Sequence, residues 1–257
     1  MPKVSVIVTT YNRKEYLTET IQSILNQTFQ DFELIVVDNY SAYDFYALMK
    51  NFESEKIISF QNQNNGVIAV NRNFGIKQAI GEYVAFCDDD DIWIKNKLEA
   101  QIEILNKTSC DLVYSNMYYF KGDTSNIIKK SSNKRINNLK DLINYNQINT
   151  STVFVRNRDL LFPEDPYLIA VEDYVLWLNL FVKGYRFEFI DQPLVYFRVS
   201  EMSAFRKNWD TNHLKLIYLY SSFLLRNPEL PIKIRVFYQI LWNFLKFSVK
   251  KEFFNKR

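Results

Sequence analysis

Four consecutive aspartates, Asp88, Asp89, Asp90 and Asp91, follow directly on the apolar run 83–87. Adjacent carboxylates repel one another strongly unless a cation sits among them. Hard oxygen donors without histidine or thiolate suit Mg2+ or Mn2+, normally shared with a diphosphate. The plainer reading is a solvated loop in which Asp91 caps the next helix. A second acidic pair, Glu172-Asp173, opens the apolar stretch 171–182. By themselves, two first-turn acids stabilise a helix through its dipole. Asp38-Asn39 closes another apolar run, and Thr10-Tyr11-Asn12-Arg13 closes the first.

Several other chemistries are excluded by counting. One histidine, His213, and two cysteines, Cys87 and Cys110, cannot build a Cys/His zinc site. Five glycines leave no GxGxxG and no GxxxxGK[ST], so dinucleotide-fold and P-loop readings lose their phosphate-cradling loops. A chain of 257 residues, 47% apolar and 24% charged, can bury a sizeable core.

The acidic and polar clusters sit at the ends of elements that alternate regularly. Apolar runs 4–9, 34–37, 57–60 and 83–87 predict strands. Helical spacing predicts helices over 14–27, 44–53 and 71–80, with Gly81 as the stop of the last. Continuous rather than alternating apolar strands imply a mostly parallel sheet covered on both faces. Ligands of such sheets bind beyond the carboxyl ends of the strands, which here are acidic and polar. Further on, 95–106 predicts a helix, 112–120 an aromatic strand and 121–138 a polar loop. Strands follow over 152–155, 187–190 and 194–197, a buried helix over 171–182, and a helical pattern from 208 onward.

These residues resemble, in order, family 2 glycosyltransferases. The opening Val4-Ser5-Val6-Ile7-Val8-Thr9-Thr10-Tyr11-Asn12-Arg13 is followed by Ser23-Ile24-Leu25-Asn26-Gln27-Thr28 and Ile35-Val36-Val37-Asp38-Asn39. Asn65-Gly66, Arg72-Asn73-Phe74-Gly75-Ile76, Gly81-Glu82-Tyr83 and Phe86-Cys87-Asp88-Asp89-Asp90-Asp91 come next. Lys97-Leu98-Glu99, Glu172-Asp173-Tyr174-Val175-Leu176-Trp177 and Pro193-Leu194-Val195-Tyr196-Phe197-Arg198 complete the series.

The resemblance implies a GT-A fold: a Rossmann-like, mostly parallel sheet flanked by helices, over residues 1–206. About 1–110 would bind the nucleotide sugar and 111–206 the acceptor, with 207–257 a helical, basic, amphipathic extension. Thr9, Tyr11 and Asp38 would hold the uridine of a UDP-sugar, with Arg72 near the nucleotide. Asp88 and Asp90 would form the metal pair for Mn2+ or Mg2+, with Asp88 or Asp89 toward the ribose. Asp173 would be the general base of a single, inverting displacement onto a hydroxyl of a glycan or lipid-linked glycan. Two positions depart from the pattern: Asn39 stands where relatives often have an acid, and Ser200 where many have a histidine. Competing readings are a catalytically weak scaffold subunit and a nucleotidyltransferase.

Net charge is +3, too small to argue for nucleic acid, but residues 226–257 hold eight basic side chains against two acidic ones. A basic, aromatic tail on a slightly acidic body suits an anionic membrane surface. In that tail Arg235, Gln239, Asn243, Lys246 and Lys250 lie opposite Phe237, Leu241, Phe244, Leu245 and Ser248, an amphipathic helix with a basic polar face. It could lie on the inner leaflet, pack on the catalytic domain or pair with a second subunit. Free cysteines and apolar runs too short to span a bilayer give a cytoplasmic expectation, peripheral on the membrane if the tail docks there. Tyr114, Tyr118, Tyr119 and Phe120 could stack on an acceptor sugar or form sheet core. His213 reads as structural.

Overall fold

The computed structural model describes residues 1–199 and 209–254. Ser200 and most of the 198–206 segment lie outside the described residues. The first half is built from β1 (Val4–Thr10), α1 (Lys14–Leu25), β2 (Phe32–Asp38), α2 (Phe45–Lys50), β3 (Ile57–Gln61), α3 (Ile68–Gln78) and β4 (Tyr83–Asp88). Then come β5 (Ile92–Trp93), α4 (Lys97–Thr108), β6 (Leu112–Phe120), β7 (Ile127–Lys130), α5 (Leu139–Asn144), β8 (Phe154–Arg156), α6 (Glu172–Val182) and β9 (Phe187–Arg198). Two long helices, α7 (Trp209–Arg226) and α8 (Lys233–Phe254), follow.

One sheet runs in the order β3-β2-β1-β4-β8-β6-β9-β5, with β7 added to β6. Strands β3, β2, β1 and β4 are parallel, and β1 and β2 are buried along their whole length. That burial explains their unbroken Val/Ile/Leu runs. Helices cover both faces and create two apolar layers. One holds Leu17, Ile21, Val36 and Leu98. The other holds Ile7, Phe86, Trp177 and Leu178. Leu219, Tyr220 and Phe223 of α7 and Val236 of α8 join the second layer, so both C-terminal helices are part of its core.

Several expected boundaries shift. The polar stretch 121–138 contains the exposed strand β7, which pairs with the end of β6. The two expected strands 187–190 and 194–197 form one strand, β9, whose pairing with β6 changes register around Asn116. Residues 150–152 form a 3-10 turn, and the strand starts at Phe154. Gly81 is not the stop of α3, which ends at Gln78 with Ala79 as its C-cap. Gly81 instead lets the chain pass close to β1. A Cβ there would lie 2.6 Å from the Ser5 backbone nitrogen. No helix among the described residues is long and apolar enough to cross a membrane.

Candidate active site

Register puts the polar strand ends side by side. Thr10 pairs with Asp38 across β1 and β2, and Thr9 with Asp88 across β1 and β4. Thr9 is buried, whereas the Tyr11 ring projects into solvent. Asp38 is fully buried and accepts hydrogen bonds from the Ser41 backbone N–H, the Ser41 hydroxyl and Gln61 Nε2. Asn39, the departure from the family pattern, accepts through Oδ1 from the backbone N–H of Asn64. The backbone at Asn12, Tyr40 and Ala170 takes φ of 54°, 57° and 73°. Left-handed backbone at non-glycine residues is costly and concentrates around sites.

The four aspartates differ in their surroundings, although Asp89 and Asp90 share Arg13. Asp88 is half-buried and accepts from Arg72 Nη2 at 2.9 Å. Asp89 turns inward, taking hydrogen bonds from Thr10 Oγ1 at 2.8 Å and Arg13 Nη1 at 2.9 Å. Asp90 accepts from the same Arg13 nitrogen at 2.8 Å. Burial, reinforced by Asp88 and Asp89, pushes the Asp90 carboxyl up to about 6. Asp91 is no helix cap: it is fully buried and accepts from the Arg198 backbone N–H at 3.1 Å. Desolvation and the neighbouring aspartates hold its carboxyl well above the usual range. Arg198 latches this loop, donating to the Asp90 carbonyl at 2.9 Å and to Glu19 at 2.5 Å.

Arg72 joins the acidic loop to α6. Its guanidinium, 6% exposed, reaches Asp88 on one side and Glu172 Oε1 at 2.7 Å on the other. Asp173, the next residue, accepts from the Tyr174 backbone N–H at 2.6 Å and from Thr150 Oγ1 at 3.2 Å. Burial first, then Glu172, raises its carboxyl to about 7, against the opposing pull of Arg72. Thr150 carried no signal of its own in the sequence beyond the polar run Asn149-Thr150-Ser151-Thr152 before an apolar strand. That turn touches both halves of the site, because Ser151 Oγ also accepts from the Asp88 backbone N–H at 3.0 Å.

Asp173 lies on the wall of a cavity of about 830 Å³, which reaches across to Tyr119, Lys129, His213, Trp242 and Lys246. Of the candidate aromatic platform, Tyr114 and Phe120 are sheet core. Tyr118 stacks on Tyr196, and Tyr119 faces the cavity beneath Lys129. His213 sits on the same wall, 3.0 Å from Asn243 Oδ1.

Arg13 lies between Asp89 and Asp90 as a stand-in cation, and all donors in the loop are oxygens. A hard divalent ion suits such a set. Among the described residues no three acidic, histidine or cysteine side chains are arranged to hold a metal by themselves.

A mostly parallel sheet flanked by helices, with an acidic loop after its central strand, is the GT-A arrangement. The chain belongs to glycosyl transferase family 2, whose family model matches residues 5–214. It is a glycosyltransferase by that membership. Over 204 residues it is 33% identical to the Escherichia coli UDP-Glc:alpha-D-GlcNAc-diphosphoundecaprenol beta-1,3-glucosyltransferase WfaP, covering 79% of this chain and 80% of WfaP. It is 29% identical over 210 residues to the putative teichuronic acid biosynthesis glycosyltransferase TuaG of Bacillus subtilis, covering 81% and 83% of the two chains. The fold matches that of S. aureus TarS 1-349 in complex with UDP-GlcNAc. The TM-score is 0.73 at 23% identity, over 95% of this chain and 73% of TarS 1-349.

Proposed function

We propose that the protein transfers a sugar from a UDP-sugar to a hydroxyl of a glycan or lipid-linked glycan, with inversion, in surface-glycan assembly. The observation that carries this reading is the Arg72 bridge. It ties Asp88, at the end of the central strand, to Glu172, whose neighbour Asp173 lies on the cavity wall. A donor at the strand ends and an acceptor in the cavity would then meet between them. WfaP is named for a UDP-glucose donor, an α-D-GlcNAc-diphosphoundecaprenol acceptor and a β-1,3 linkage, and that name supports the donor and acceptor classes.

Thr9, Tyr11 and Asp38 bind the uridine in this reading, with Asp88 or Asp89 toward the ribose. Arg72 sets the orientation of Asp88. Asp90 and Asp88 would hold Mn2+ or Mg2+ together with the donor diphosphate, and the bound ion supplies charge neutralisation for the leaving UDP. Asp173 takes the proton of the acceptor hydroxyl as its oxygen attacks the anomeric carbon. The bond from that carbon to the phosphate oxygen breaks on the opposite face, and its electron pair leaves with UDP. An α-linked donor gives a β-glycoside.

The test is UDP release from a panel of UDP-sugars with lipid-linked acceptors. Asp173→Asn is expected to slow transfer by ~10²–10⁴-fold, the usual worth of a general base, while UDP and Mn2+ still stabilise the fold. Transfer at the normal rate by Asp173→Asn would overturn the base assignment.

A further inference from the structure

Helix α8 is amphipathic, but its faces are used the other way round from a packed surface helix. Val236 and Asn243 are buried and Ile240 packs against the core. Gln239, Trp242, Asn243 and Lys246 line the cavity that holds Asp173. Arg235 donates to Asn144 at 2.6 Å, which fixes the helix to α5. The opposite side carries Ile234, Phe237, Tyr238, Leu241 and Leu245 at helical spacing, all exposed, with Ile234 at 88% and Phe237 at 62%. Leu225, 82% exposed at the end of α7, extends the patch. Leu224, Leu225, Pro228, Ile234 and Phe237 frame a shallow apolar recess there, with Lys233 at its edge. A contiguous apolar stripe of this kind on a soluble surface marks an interaction site.

We propose that this outer face of α8, with Leu225, seats the protein on an anionic bilayer surface. Charge selects the occupant. Arg226, next to the exposed Leu225, and Lys233, at the edge of the recess, stand beside the stripe. Pairing the stripe with a second copy would press these cations of the two copies together, at an electrostatic cost. Anionic headgroups complement them, while the apolar residues enter the headgroup and acyl boundary. The 22-residue helix, ~33 Å long, is long enough to lie in that plane. Because the other side of α8 forms a wall of the cavity, docking brings that cavity within about one helix diameter, ~10–12 Å, of the headgroups. A membrane-anchored acceptor would be presented to the cavity from there. The inference extends the proposed acceptor class, but vesicle binding is read without turnover, so either can fail alone.

The experiment is flotation of the full chain with phosphatidylglycerol-containing vesicles and with pure phosphatidylcholine vesicles, alongside size-exclusion chromatography. Binding to the anionic vesicles is expected, with at least ~10-fold weaker partition for Phe237→Glu/Leu241→Glu and an unchanged thermal midpoint. Ile234→Glu, at the most exposed position of the stripe, is the second variant and is expected to weaken binding too. Absence of binding to anionic vesicles would overturn the proposal, as would equal binding by wild type and both variants. A stable dimer in solution that the same substitutions dissolve would assign the face to a second copy and overturn it as well.

Discussion

Replacing Arg72 by methionine tests the bridge between the acidic loop and the cavity. Methionine keeps the aliphatic stem against Phe162, over whose ring the guanidinium carbon lies at 5.2 Å. It removes the only charge that Arg72 supplies to two carboxylates. Glu172 is 7% exposed on its side chain, and its Oε2 has no hydrogen-bond partner among the described residues. Removing one partner of a buried pair costs ~3–5 kcal/mol, because the other charge is left uncompensated. For a chain of this size that is a fall of roughly 6–20 °C in Tm. Urea unfolding followed by tryptophan fluorescence measures the loss directly.

The pH dependence of that loss has a definite sign. Asp173 is raised in the folded protein to about 7, and Arg72 is a force holding it down. An acid whose folded pKa exceeds its unfolded value makes the protein less stable as pH rises between the two. In wild type that decline is complete near pH 7. Without Arg72 the Asp173 carboxyl rises further, so the variant continues to lose stability above pH 7 and its deficit widens toward pH 8.5. Adding Glu172→Gln to the variant should recover part of the loss, since removing both partners costs less than removing one. A deficit below ~1 kcal/mol at pH 8, flat with pH and unchanged by Glu172→Gln, would refute the buried bridge.

Three further outcomes are expected. UDP and Mn2+ together, at ~100 times their dissociation constant, should stabilise wild type by ~2.7 kcal/mol; Asp90→Asn should lose this in thermal unfolding, and a full shift in that variant would move the cation elsewhere. Transfer should fall as pH drops below about 7, where Asp173 takes up a proton. Thr150→Val should move that acid limb upward, because the hydroxyl bond favours the ionised carboxylate; an unmoved limb would remove Thr150 from the positioning of Asp173. Gly81→Ala should destabilise by about 1–3 kcal/mol in urea, because the new methyl meets the rigid backbone of β1.

The parallel half of the fold was legible because its strands are covered on both faces. An uninterrupted apolar run then marks the strand, and the first polar residue marks its carboxyl end, as at Asp38 and Asp88. The second half was less legible. β9 is one strand whose middle, Asp191 and Gln192, is exposed, so a search for apolar runs divides it in two. β7 is exposed throughout and is placed by its pairing with β6, for which composition carries no signal.

The site shows the same division between what residue type reveals and what only the packing partner decides. Four aspartates in a row read as one acidic cluster, yet only Asp88 belongs to β4 and the turn after it divides the side chains among different partners. Asp88 therefore meets Arg72, Asp89 and Asp90 meet Arg13, and Asp91 meets the backbone of Arg198. Three of these contacts are with residues 76, 77 and 107 positions away, beyond the reach of any local pattern. Helix α8 makes the argument sharper. Its periodicity sets apolar against polar side chains, but periodicity holds no information about which face the rest of the chain will cover. Here the neighbouring elements leave a cavity beside α8. Gln239, Asn243 and Lys246 turn toward it, and the apolar stripe is left to face outward.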